Sequence, residues 1–277
     1  MTSNLWNEAR RATPADNIEI IDKGSGGASH PVPLLFIHGG AHAAWCWDEH
    51  FLDFFATRGF RAVAVSLRGH GASPTSKPVP SVSIADYVDD VRSVTDHLPA
   101  APVLIGHSLG GFVVQKYLES QQAPVAVLLA SAPPHGLCRF MLRSARRHPW
   151  LMAKATVTGN SVQMINTPAR AREAFFSADA AEADIARWAS RFQEESPRAL
   201  LDTMLVHRVK PQRISTPLLV LGAGLDRLVT TKEVHATARA YRTEAEIFAG
   251  MGHDMMLEPG WSAVAERIRT WLASRGL

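Results

Sequence analysis

Apolar residues along the chain fall into short runs of strand length separated by stretches with helical spacing. Ile18–Ile21 offers a first strand, and Lys23–Ser29 follows as a glycine-rich turn. Pro33–Ile37 is a fully apolar strand, Trp47 with Phe51, Phe54 and Phe55 marks one face of a helix, and Arg61–Leu67 is the next strand. Ser83 with Asp86 three residues on forms a capping box for a helix whose inner face is Ile84, Val88, Val91 and Leu98. Val103–Ile105 predicts a buried strand, Leu109–Glu119 a largely buried helix, and Val125–Leu129 another strand. Repeated strand–helix units imply a parallel sheet with right-handed crossovers and helices on both faces. From Pro134 to Gln212 the alternation stops, leaving helical stretches separated by Pro149, Pro168 and Pro197. The sheet resumes at Pro217–Leu221. Thr230 with Glu233 caps the following helix, Glu244–Phe248 is the last strand, and Trp261, Val264, Ala265, Ile268 and Leu272 line a closing helix. The expected division is therefore an α/β core, residues 1–133 and 213–277, with a helical cap over residues 134–212.

Composition adds limits. With 277 residues, 46% hydrophobic and 20% charged, the chain suits one large domain and not a disordered or membrane-spanning protein. The longest apolar stretches, such as Val125–Ala130, are too short to span a bilayer. Met1–Asn17 carries charges and no apolar core of a secretory signal, so a cytoplasmic location is expected. Cys46 and Cys138 lack metal-ligand spacing and are expected as buried free thiols. A net charge of +3 and the absence of a nucleic-acid motif make nucleic acid an unexpected partner. No phosphate-loop, dinucleotide, His-Glu-x-x-His or Cys-x-x-Cys pattern is present, so no cofactor or metal is expected.

The candidate chemistry begins where a strand turns into a helix, at Gly106-His107-Ser108-Leu109-Gly110. In Gly-x-Ser-x-Gly the turn is so sharp that the serine backbone is strained, and side chains at 106 and 110 would collide. Ser108 then stands at the positive end of a helix, with the Leu109 amide able to face a developing oxyanion. A serine hydroxyl needs a base and an acid that holds the base. In a parallel sheet such residues should follow strands directly. Asp226 and His253 do so, in the chain order Ser108, Asp226, His253 expected for this architecture. Asp254 is the main rival for the acid, although its adjacency to His253 makes the far ring nitrogen hard to reach; Asp202 is a weaker rival. A second oxyanion donor is expected from Gly40 in His38-Gly39-Gly40, with His38 structural.

These residues, together with Arg68-Gly69-His70-Gly71-Ala72-Ser73, resemble the α/β-hydrolase superfamily over nearly the whole chain. The resemblance implies Ser108 as nucleophile, His253 as base, Asp226 as acid, Gly40 and Leu109 as oxyanion hole, and the insertion as a cap. His38–Trp47 is similar to the opening of plant methylesterases and hydroxynitrile lyases, and Ser66 departs from the aspartate common before the Arg-Gly-His-Gly turn. The expected function is hydrolysis of a small or medium apolar carboxylic ester, a small-molecule substrate, through an acyl-enzyme. A lyase or perhydrolase on the same scaffold and a non-catalytic ligand receptor are the alternatives. Arg139, Arg143, Arg146 and Arg147 share one side of a cap helix. That face reads first as solvated, and second as a lid meeting acidic or lipid substrates at a membrane surface.

Overall fold

In a computed structural model describing residues 18–27, 29–158, 160–205 and 208–277, seven strands make one sheet. The strands are β1 (Ile20–Lys23), β2 (Leu34–Ile37), β3 (Ala62–Val65), β4 (Val103–His107), β5 (Ala126–Leu129), β6 (Leu218–Ala223) and β7 (Ala245–Phe248), in the spatial order β1-β3-β2-β4-β5-β6-β7. All neighbours are parallel except β1, which runs antiparallel to β3. The stretch 1–17, where no secretory segment was expected, lies outside the described residues. Among the described residues no helix is long and apolar enough to cross a membrane.

Strands β2 to β6 are buried along their whole length, which is why each reads as an apolar run, with a polar residue only at His107, the end of β4. Their side chains alternate between two cores. Leu34, Phe36, Ile105 and Val127 face one, built with α1 (Trp45–Asp48), α2 (Phe51–Ala56) and, at the chain end, a helix over Trp261–Ala273. Leu35, Ile37, Leu104 and Leu128 face the other, built with α3 (Ile84–His97), α4 (Ser108–Leu118) and a helix over Thr231–Ala240. Both expected capping boxes form, Ser83 with Asp86 and Thr230 with Glu233. Between β5 and β6 the described residues hold helices and no strand: α5 (Cys138–Arg147), α6 (Pro149–Thr158), α7 (Pro168–Phe175), α8 (Glu182–Ala189) and α9 (Pro197–Leu205).

Three expectations change. The aromatic face from Trp47 to Phe55 belongs to two short helices, because His50 leaves the helical region at φ −149° and lays its ring flat on Trp261, centroids 4.6 Å apart. The first strand lies two residues later than its apolar run, because its register is set by β3, Ile20 opposite Val65 and Lys23 opposite Ala62. Cys46 is buried as expected, but Cys138 is exposed at the start of α5.

The missing aspartate at position 66 is replaced from another element. Ser66 Oγ accepts from the Ala44 amide at 2.9 Å and donates to Glu19 Oε2 at 2.5 Å, and the same carboxylate oxygen accepts from the Ala72 amide at 3.1 Å. Glu19 thus ties the start of the chain to the turn after β3. Glu19→Ala would strand the buried Ser66 hydroxyl, and is expected to cost about 1–3 kcal/mol. Urea unfolding reads this as a lower midpoint with unchanged slope.

Candidate active site

The strand order reverses beside β4: the chain runs outward from β2 to β3, then crosses back so that β4 lies against the other side of β2. Loops leaving such a switch point diverge and open a crevice at the carboxyl ends of the strands. Ile37 pairs with Gly106, so the loops after β2 and β4 leave side by side, carrying Gly40 and Ser108 into one place.

Close backbone approach sets the glycines there. A Cβ on Gly106 would lie 2.6 Å from the Gly110 carbonyl oxygen, as the sequence pattern expects. A Cβ on Gly110, however, would strike the neighbouring strand end, 2.2 Å from His38 O and 2.4 Å from Ile37 O, so that glycine serves the junction of two loops as much as the turn itself. Gly39 is pressed against the nucleophile candidate, with its virtual Cβ 2.9 Å from Ser108 Cβ. Ser108 has φ 51° and Ala41 has φ 65°, positive values that non-glycine residues rarely adopt. The strain at Ala41 has no signature in the sequence.

Asp226 divides its carboxylate. Oδ1 accepts from the amides of Leu228 and Val229 at 2.7 and 2.9 Å, shaping its own loop, while Oδ2 faces His253 Nδ1 at 2.7 Å. Both side chains are buried. Burial alone would lower the His253 pKa, but the charge and hydrogen bond of Asp226 outweigh it, with Asp254 adding, so the ring is held above its ordinary value. With Nδ1 taken, Nε2 is the ring atom left for a proton from substrate or serine. Ser108 and His253 line the same cavity, and among the described residues no direct hydrogen bond joins them.

The rivals for the acid face other partners. Asp254 Oδ2 is bonded to His42 Nε2 at 2.9 Å, and Asp202 accepts from the Ile84 amide at 3.2 Å and from Arg198 at 2.8 Å. His38 accepts from the Leu67 amide at Nε2, 2.9 Å, and donates from Nδ1 to Gly39 O, 2.7 Å, the work of a neutral structural imidazole. Burial, with the charge of His70 second, keeps its pKa well below the ordinary value.

Sequence reasoning missed a buried network around the site. His42 Nδ1 contacts Gly40 O at 2.8 Å, and its Nε2 reaches Asp254; His107 Nε2 donates to the His253 carbonyl at 3.0 Å. Burial, aided by the nearby His253, pushes the His107 pKa down to about 3, so that ring is neutral. Three loops, bearing Gly40, Ser108 and His253, are joined by these contacts. The adjacency of histidines to the motif residues, at 42 and 107, was the available signal.

Gly40, Ser108, Leu109 and His253 open onto a cavity of about 1200 Å³ whose far wall comes from α5, α6, α7, α9 and the turn between α6 and α7, including Phe140, Met141, Trp150 and Met164. The Leu109 amide lies in the first turn of α4, where no intrahelical acceptor exists. The basic face of α5 is partly neutralised: Arg143 holds both oxygens of Glu233 at 3.0 and 2.9 Å, and Arg147 bonds Glu173 at 2.8 Å. His107, His253 and Asp254 stand close enough to share an ion; His107 Nε2 bonds the His253 carbonyl, His253 Nδ1 meets Asp226 and Asp254 Oδ2 meets His42, while Asp254 Oδ1 has no hydrogen-bond partner among the described residues.

Residues 34–267 match the model of the alpha/beta hydrolase family. A bifunctional esterase/perhydrolase of Acinetobacter calcoaceticus is 35% identical over 126 residues, 44% of each chain, so the match spans less than half of that relative. A monoacylglycerol lipase of Mycolicibacterium smegmatis is 24% identical over 87% of this chain and 88% of its own. Among solved structures, a thermophilic esterase from Thermogutta terrifontis superposes with TM-score 0.68 at 20% identity, covering 94% of both chains.

Gly110→Ala places its new carbon against backbone oxygens that cannot rotate away. It is expected to destabilise the fold by about 1–3 kcal/mol, read by urea denaturation.

Proposed function

Since the chain belongs to the alpha/beta hydrolase family, we propose that it is a serine hydrolase of carboxylic esters, with Ser108 as nucleophile, His253 as base, Asp226 as acid, and the amides of Gly40 and Leu109 as oxyanion hole. The observation that carries this reading is the buried 2.7 Å contact between Asp226 and His253, opening on the same cavity as a serine at φ 51°. His253 Nε2 takes the Ser108 proton as Oγ attacks the ester carbonyl. The tetrahedral oxyanion is met by the two amides, and collapse releases the alcohol with the proton carried on His253. Water, deprotonated by the same ring, then attacks the acyl-enzyme, and Ser108 recovers its proton as the acid leaves. Asp226 keeps Nδ1 protonated and balances the imidazolium charge. Residues 134–212 act as the cap, and their apolar wall supports an apolar acyl or alcohol group. The similarity to monoacylglycerol lipase and to the esterases agrees with esters as the substrate class.

The 35% match to an esterase/perhydrolase supports a second outcome on the same machinery, in which hydrogen peroxide replaces water at the acyl-enzyme and a peracid leaves. Peracid formation from acetate and peroxide measures it directly.

Ser108→Ala is expected to lower kcat on a short p-nitrophenyl ester by about three orders of magnitude or more, and to end fluorophosphonate labelling. Parent-like turnover by this variant would remove the assignment. The base works only when neutral, and its pKa is raised above the ordinary 6.5, so kcat/KM should fall with decreasing pH from a limb lying above 6.5. Asp226→Asn removes the charge that raises it, so the limb should move to lower pH while the plateau drops. A pH–rate profile of both proteins tests the sign.

A further inference from the structure

Two carboxylates line the cavity without a part in the chemistry above; Glu173 is half-buried and bonds Arg147, whereas the other is buried. Glu195, from the segment between α8 and α9, is buried and lines the cavity beside Gly40. Its Oε1 is fully used, accepting from the Tyr87 hydroxyl at 2.6 Å and the Ser196 amide at 2.7 Å. Its Oε2 accepts no hydrogen bond among the described residues; the nearest donor, His70 Nε2, is an ion-pair contact at 3.5 Å. That oxygen faces the oxyanion loop, and a Cβ on Gly40 would lie 3.2 Å from it.

A tie between the insertion and α3 needs only Oε1. Oε2 opens on the cavity and has capacity to accept from a donor that enters it. Burial works to raise the Glu195 pKa, but the charge of His70, with the hydrogen bonds, overrides it and keeps the carboxyl ionised. His70 balances the charge of Glu195, and the carboxylate keeps an oxygen on the cavity that a donor on the substrate can reach.

We propose that Glu195 determines specificity by accepting a hydrogen bond from a hydroxyl or ammonium on a carbon within two bonds of the scissile carbonyl, so that the favoured substrates are 2- or 3-hydroxy or amino esters. The reach rests on proximity: Gly40, Ser108 and Glu195 line one cavity, and a Cβ on Gly40 would lie 3.2 Å from Oε2, so the atoms of a substrate nearest the Gly40 backbone are the ones within reach of that oxygen. The proposal rests on the ester-hydrolase reading and narrows it. The shared requirement is a donor; hydroxyl and ammonium differ in charge, and the carboxylate accepts from either.

The test compares kcat/KM for methyl butanoate, methyl 2-hydroxybutanoate, methyl 3-hydroxybutanoate and methyl 2-aminobutanoate. At least one donor-bearing ester should be favoured over plain butanoate by tenfold or more, and which one identifies the donor. Glu195→Gln puts an amide donor where Oε2 was, and Glu195→Asp withdraws the carboxylate by one methylene. Each should reduce that preference at least tenfold, and far-ultraviolet circular dichroism shows which variant is folded for the reading. Equal rates on all four esters by the parent, or a preference that survives in the folded variant, overturn the role of Glu195 while leaving the hydrolase intact. No turnover of any ester, with no fluorophosphonate labelling, overturns the hydrolase reading and this inference with it.

Discussion

Everything at the site depends on how closely two neighbouring loops approach. The backbone of Gly110 lies against the carbonyls of Ile37 and His38, and Gly39 lies against Ser108, with no room for a Cβ on either. That contact exists because β2 and β4 are parallel neighbours in register, Ile37 beside Gly106. A one-residue slip would send every side chain of β4 to the opposite core and carry Ser108 away from Gly40. The register is held by apolar burial on both faces, so the hydrophobic cores fix the spacing of the candidate chemistry.

Around this junction polar groups are shared between shape and chemistry. Asp226 gives one oxygen to its own loop and the other to His253. Asp254, next in the chain to His253, instead binds His42, whose other nitrogen faces Gly40 O. Adjacent residues in the chain therefore serve different loops, and a buried carboxylate holds the loop bearing Gly40 to the loop bearing His253. Glu258 continues the pattern. It accepts from the Ser177 amide and hydroxyl at 2.5 and 2.6 Å and from the Gly252 amide at 3.1 Å, fastening the insertion to the loop that carries His253.

Much of this was legible before any coordinates. Buried parallel strands must be apolar along their whole length, so β2 to β6 stood out, and capping boxes at Ser83 and Thr230 marked helix starts because the side-chain spacing is local. The Gly-x-Ser-x-Gly pattern carries its own steric reason, and the order of Ser108, Asp226 and His253 carries that of the topology. What failed were features set by distant partners: the helix break at His50, made by stacking on Trp261, and the offset of β1, made by pairing with β3. Cys138 was expected inside, and a helix's first turn at the surface left it exposed.

The chain itself determined its strands, its helix starts and the residue types able to activate a serine, because those depend on periodicity and on spacing within a few residues. Only the tertiary structure decided which carboxylate serves which partner: Asp226 for His253, Asp254 for His42, Glu19 for Ser66, and Glu195 for Tyr87 with an oxygen left toward the cavity. A carboxylate's role is fixed by the donor that reaches it within about 3 Å, and those donors come from loops far away in the chain.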